Sequence, residues 1–484
     1  MSKFNSKMST GYNAVSYEGG AVYEKDVVED WINNLFSSFL ENRYYESGED
    51  QMQRYMKLTY QVAKQLGWEF IAKASFFARN ELGLRSIAQL TAAMLNKENF
   101  DQKRNYFRNF CHRPDDVAEI YAAIDMLGDK RSHALVRGTG DYLSGLNEYS
   151  LGKYKLNKKN YNMFDLINIT HAHSNAINAY KNGTLTTPDT WEVAISTAND
   201  QETKNKEWKR LVEDNKLGYI ALVRNLRNIL SCDVTPSWVR EYLVPQLTNK
   251  KAIEKSLIYP YQIYNAYKNL KGFRNLDVIV ALDAAFRISC ENMPDLPGKS
   301  VIFLDISGSM DSHMSEHSNM RIKEVGAVYA AALYVNNLNC DFIKFGTKAK
   351  KMKYNRLNNV FDLIDEMQNE DSLGYGTDIS TAFNLLDCHY DRIFIVSDMQ
   401  TMTSVKSWYT SNDGMSDYNK YCSKYGNAKC YSFDLGNYST QTANPNNNNV
   451  FLLTALNDKI FDFIKLAERG GNIVDYIETN YDYR

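Results

Sequence analysis

Hydrophobic positions are spaced in two different ways along the chain. Over the first three hundred residues they recur at helical intervals. Leu66, Phe70, Ala74, Phe77 and Ala78 fall on one face, as do Leu84, Ile87, Ala88, Thr91, Met94 and Leu95. Pro114-Asp115-Asp116 is a helix start, and Val117, Ile120, Tyr121, Ile124 and Leu127 follow it at the same period. Stretches 165–169, 217–230, 236–243 and 276–288 add further helices, while strand alternation is nearly missing. Helix after helix through short polar loops predicts an α-solenoid of HEAT-like hairpins, without a legible repeat period.

Beyond residue 300 the pattern changes. Val301-Ile302-Phe303-Leu304 and Ile393-Phe394-Ile395-Val396 are unbroken apolar runs, as buried parallel strands require. The stretch 322–338 is a long, Ala-rich helix, 341–345 a strand, and 360–367 a short helix. Ile379, Ala382, Phe383 and Leu386 share a helical face; 430–435 and 450–453 are short strands, and Phe461, Ile464, Leu466 and Ala467 mark a closing helix. Strands alternating with helices predict a mostly parallel sheet covered on both faces. Two prolines and a glycine in Asn292-Met293-Pro294-Asp295-Leu296-Pro297-Gly298-Lys299 place the boundary. The expected architecture is therefore α followed by α/β, with domains at 15–293 and 299–484. Residues 182–206 read as an exposed loop and 444–449 as a polar loop.

The α/β half carries candidate chemistry. Its first strand ends in Asp305-Ile306-Ser307-Gly308-Ser309, which delivers a carboxylate and two hydroxyls at a strand's carboxyl end. Gly374-Tyr375-Gly376-Thr377-Asp378 offers a threonine hydroxyl in a glycine-flexed loop, and a second strand ends in Ser397-Asp398. Ligands of open α/β sheets bind at these strand ends. Hard oxygen donors suit Mg2+ or another divalent cation. Asp305, Ser307, Ser309, Thr377 and Asp398 fill all five positions of a pattern that resembles the metal-ion-dependent adhesion site of von Willebrand factor A-type domains.

Length and composition narrow the class. The chain has 484 residues, more than one core usually supports, and its 44% hydrophobic and 24% charged content is that of a globular protein. No apolar run is long enough to span a bilayer, so no membrane partner is expected. Seven scattered cysteines suggest neither a disulfide framework nor a zinc site, which favours a reducing cytoplasm. The net charge of −2 hides an asymmetry: 18 basic and 20 acidic residues in 1–150, 21 and 15 in 151–300, and 17 and 23 in 301–484. The +6 middle is where an anionic partner would bind.

Several local motifs join the two halves. Gly19-Gly20-Ala21-Val22-Tyr23, Gly83-Leu84-Arg85-Ser86-Ile87, Arg113-Pro114-Asp115-Asp116, the stretch 166–171 and Arg224-Asn225-Leu226-Arg227-Asn228 resemble the TROVE module. With the metal motif, the chain resembles the Ro autoantigen-type RNA-binding proteins over almost its whole length. That resemblance implies a monomeric ring of helical repeats closed by the α/β domain. It implies a central hole for single-stranded 3′ ends of misfolded RNA, and an outer basic surface for a small structured Y-like RNA. An exoribonuclease is an implied partner; no catalytic activity is implied.

Lys153-Tyr154-Lys155 and Lys158 form a basic cluster with an interleaved aromatic, suited to phosphate neutralisation and base stacking. Alone it reads sooner as a solvated lysine-rich turn; the resemblance assigns Lys153, Tyr154, Lys155 and His171 to Y RNA. His171 and His173 would point apart on a helix and so form no metal pair. Arg224 and Arg227, three apart, line an RNA path or pair with Glu213 or Asp214. Asn249-Lys250-Lys251 reads as an exposed loop. Two rival functions remain: a metal-dependent adhesion module recruiting an acidic partner, and metal-dependent RNA hydrolysis, against which no general base stands beside the metal motif.

Overall fold

The computed structural model describes residues 14–15, 21–37, 47–154, 156, 160–185, 190–270, 272–273, 275–314, 320–369, 372–400, 414–436, 438, 440–441, 447, 449–453, 460–468, 470 and 473–483. They form two compact units. One combines Met1–Asn33, Glu41–Gln53 and Gly218–Gly470; the other combines Asn34–Leu40, Arg54–Leu217 and Gly471–Arg484.

The first unit is built on strands. In chain order these are β1 (Ala14–Val15), β2 (Ala21–Glu24), β3 (Ser300–Asp305), β4 (Cys340–Phe345), β5 (Ala349–Met352), β6 (Arg392–Ser397), β7 (Lys429–Asp434), β8 (Thr440–Gln441) and β9 (Val450–Leu453). Six of them make one sheet in the order β5-β4-β3-β6-β7-β9. All its neighbours are parallel except β5, which runs antiparallel to β4 as an edge that the apolar pattern does not reveal. Every residue of β3 and β6 is buried, which explains why neither alternates. Helix Ile322–Asn336 lies over one face. A side chain at Gly326 would sit 3.2–3.3 Å from Leu304, Val396 and Leu435, so the glycine is what lets the helix approach. The other face carries Val301, Phe303, Ile343, Ile393 and Ile395 beneath Phe383, Tyr418 and Tyr421.

Helices between 218 and 290 belong to this same unit. The rings of Tyr267 and Phe361 stack at 3.9 Å, 6° from parallel, and join helices Pro260–Asn269 and Val360–Gln368. Arg287 donates to the carbonyls of Arg356 and Asn358, and Asp283 accepts from the Val360 N–H. The Pro–Gly stretch 292–299 thus runs inside this unit. A second sheet, β1-β2-β8, pairs the chain's beginning with residues 440–441. The Lys25 ammonium is buried against Asp434 at 2.9 Å.

The second unit is helical, and helices pack against their next-but-one neighbours: Ser86–Leu95 with Pro114–Met126, Lys103–Phe110 with His133–Ser144, and the latter with Met163–Thr170. Gly138 and Gly140 permit the last two contacts. A methyl at Gly138 would lie 2.4 Å from the Arg104 carbonyl, and one at Gly140 2.8 Å from that of Thr170. Asp116 is the polar centre. It is fully buried and accepts from Arg79 (2.7 Å), Gln89 (2.8 Å) and the N–H groups of His112 and Arg113. Burial would raise its carboxyl, but the charge and hydrogen bond of Arg79 outweigh that and hold it below the ordinary carboxylate value. The motifs Arg113-Pro114-Asp115-Asp116 and Gly83-Leu84-Arg85 meet here, since Arg85 bonds both Asp115 and Asp116. The segment 182–206 is not one exposed loop. It contains helix Trp191–Thr197 and the start of Gln201–Glu213, whose amphipathic turns bury Val193 and Trp208.

Candidate functional site

Strand ends in the first unit bring four of the five cation-site residues together. Asp305 closes β3 with one carboxylate oxygen accepting from the Ser307 N–H (2.8 Å) and the other from the Ser397 hydroxyl (2.6 Å). The Ser307 and Ser309 hydroxyls stand 3.4 Å apart. Asp398 follows β6, is buried, and accepts from the Gln400 N–H. Burial first, and then the negative charge of Asp305, push the Asp398 carboxyl up to about 8. Thr377 comes in on the loop that the Gly308 N–H ties through Tyr375 O at 2.9 Å. The Thr377 hydroxyl is buried and has no hydrogen-bond partner among the described residues.

This donor set fits a divalent cation. Two buried carboxylates repel each other, and one hydroxyl is left unsatisfied; both costs are removed by a hard cation that accepts oxygen lone pairs. No cluster of three His, Cys, Asp or Glu occurs among the described residues, so a site here depends on the hydroxyls.

The sequence-predicted RNA residues are scattered over both units. In the helical unit, Lys153 pairs with Glu192 at 3.3 Å and lies over the rings of Tyr149 and Tyr154. Tyr154 carries the Arg113 guanidinium 4.9 Å above its ring. Lys155 and Lys158 lie outside the described residues. His171 is exposed and caps Met163–Thr170 in a left-handed conformation, φ 55°. His173 lies beyond the helix, where its N–H donates to the Ser144 hydroxyl, so the helical spacing expected for the two does not apply.

In the other unit, Arg224 and Arg227 are exposed, but the helix breaks between them at Asn225 (φ −100°, ψ 9°), so they do not lie on one continuous face. Neither makes an ion pair or side-chain hydrogen bond among the described residues; Asp214 goes to Arg210 instead. Asn249 is a helix cap rather than loop, accepting from the Ala252 N–H, and Lys250 pairs with Glu291 at 2.5 Å.

Sequence reasoning missed a cationic group in the helical unit. Arg104 grips Asp141 through two bonds of 2.7 and 2.8 Å. That hydrogen bonding, with the charges of Arg104, Arg108 and Arg137, keeps the Asp141 carboxyl below its usual value. Arg108 and Arg137 are themselves exposed and make no hydrogen bond or ion pair among the described residues. The one available signal was the i, i+4 spacing of Arg104 and Arg108; Arg137 joins them only because Gly138 draws two helices together.

Residues 168–275 match the model of the TROVE domain. That stretch of the chain is similar to a TROVE domain. The domain's helices span the end of one unit and the start of the other. The chain is 22% identical to telomerase protein component 1 of Mus musculus over 294 residues, covering 42% of this chain and 11% of that protein; the Rattus norvegicus protein gives the same figures. The stretch shared with these relatives is thus a small part of them. A crystal structure of the Deinococcus radiodurans Ro (RSR) protein aligns with a TM-score of 0.64 over 92% of this chain and 100% of that one, at 14% identity. The chain thus shares the fold of that Ro protein, and the TROVE-like stretch lies within it.

Proposed function

We propose that the chain is the protein component of a ribonucleoprotein. A small structured, Y-like RNA docks on the cationic helical surface of Arg104, Arg108, Arg137 and His171. Single-stranded 3′ ends of misfolded RNA enter the hole that the Ro resemblance implies. The role is RNA quality control or scaffolding for an exoribonuclease, without catalysis by this chain. The observation that carries the reading is the TROVE match in a chain whose adjoining helices present two unpaired arginines. Such charges attract phosphates without reading bases. Seven free cysteines suit a reducing cytoplasm. Binding of 3′-tailed and blunt structured RNA across a salt series is the test. Tailed RNA is expected to bind more tightly, with affinity falling steeply as salt rises. Equal binding of both, or of neither, removes the reading.

The unsatisfied Thr377 hydroxyl supports a second role. Asp305, Ser307, Ser309, Thr377 and Asp398 would hold Mg2+ or a similar ion, which when bound would leave a position for a partner's carboxylate. Mn2+ binding followed by electron paramagnetic resonance tests this: wild type is expected to bind and Asp305→Ala to lose the ion.

A further inference from the structure

Tyr375 is 74% exposed, yet the loop beneath it is pinned at several points. Its carbonyl accepts from the Gly308 N–H (2.9 Å), Leu373 O accepts from the Lys348 N–H (2.8 Å), the Gly376 N–H donates to the Thr347 hydroxyl (3.0 Å), and the Asp378 N–H donates to Gly346 O (2.8 Å). Gly374 holds φ 84° with Thr347 so close that a side chain there would meet its hydroxyl at 2.7 Å. A Cβ on Gly308 would be 3.7 Å from the Tyr375 Cβ and 3.8 Å from Cδ1, so the side chain stands over the glycine of the cation loop. A singly exposed aromatic is ordinary in itself; the placement of this one is what matters. This one is fixed in advance, two residues before Thr377, and its ring meets no other aromatic ring or cation among the described residues.

We propose that Tyr375 is a specificity-determining residue of the cation site: its ring takes the cationic side chain that neighbours a partner's metal-held carboxylate. The partner is a protein segment carrying one Asp or Glu beside an Arg or Lys. This rests on the cation-site reading above. The net charge of the stretch after residue 300 favours that chemistry. Residues 301–484 carry 17 basic and 23 acidic side chains, a balance of −6 that opposes both a phosphate backbone and a run of carboxylates. A single carboxylate with an adjacent cation meets the ion, the aromatic face and the surrounding field favourably at once. The other side of the cation loop is already settled, since Asp311 there accepts from Arg321 and Lys323.

The test uses the full chain loaded with Mn2+, with water-proton relaxation reporting displacement of ion-bound water. The probes are acetyl-Arg-Asp-amide, acetyl-Ala-Asp-amide and a ten-residue oligouridylate. Wild type is expected to prefer the Arg-Asp peptide by about two- to fivefold, the size of an exposed cation–aromatic contact. Tyr375→Ala is expected to erase that preference while Mn2+ affinity and Ala-Asp binding stay unchanged, and Tyr375→Phe to keep it. Equal binding of the two peptides to wild type overturns the proposal alone. So does a Tyr375-dependent preference for oligouridylate, which would make the surface an RNA contact. Absence of Mn2+ binding by wild type overturns the cation reading itself, and this proposal with it.

Discussion

Asp116 shows how far a single side chain carries the helical unit. Its carboxylate is fully buried and answers two arginines, a glutamine and two backbone N–H groups. Asp116→Asn leaves Arg79 with an uncompensated charge and is expected to cost about 3–5 kcal/mol, read from a urea midpoint. The pH dependence has a definite sign. A carboxyl held below its unfolded value near 4 contributes fully at neutral pH, and that contribution is lost as pH falls from about 4 through the lowered value. The acid limb of stability should be flatter in the Asn variant. At the proposed RNA surface, Arg108→Ala with Arg137→Ala is expected to weaken all RNAs alike and to lower the slope of log affinity against log salt by about 2, one per lost phosphate contact. A slope that does not change would place the RNA elsewhere. The oxygen donors proposed to hold a cation were legible as a group because each lies within a few residues of a strand end or glycine loop. The arginine cluster was not, because its members come from two helices more than 25 residues apart.

Helices and strands were mostly legible because their apolar period is set locally. The stretches 360–367 and 450–453 are observed as Val360–Gln368 and Val450–Leu453. What escaped was short or lacked an apolar stripe. Strand β5 has no buried residue and exists because β4 offers an open edge. Strand β2 is four residues long and takes one of its two partners, β8, from more than 400 residues away. The break at Asn225 is equally hidden, because the run 217–230 keeps its helical spacing across it. Gly138 permits an element-scale prediction. Alanine in a helix ordinarily stabilises relative to glycine by about 0.5–1 kcal/mol. Here its methyl would meet backbone at 2.4 Å, which cannot yield without moving helix Lys103–Phe110. Gly138→Ala is therefore expected to destabilise by about 1–3 kcal/mol in a thermal melt and to weaken RNA binding along with the Arg108–Arg137 group.

At the scale of the molecule, contacts between residues hundreds of positions apart hold each unit. Lys25 is buried against Asp434 within the first unit. In the second, the Tyr483 hydroxyl reaches the Asp101 carbonyl, and its own carbonyl accepts from Asn109. Lys25→Met strands a buried carboxylate and is expected to cost about 3–5 kcal/mol; the double variant Lys25→Met with Asp434→Leu should recover most of it. Additive losses in a double-mutant cycle would refute the pairing. The sequence by itself determined the helical first part, the parallel sheet after residue 300 and the oxygen donors at its strand ends, because apolar period and turn chemistry act over a few residues. Only the tertiary structure decided which compact unit each helix joins, where arginines gather and what closes on Asp434. Those outcomes depend on contacts between residues distant in sequence, and no local pattern records them.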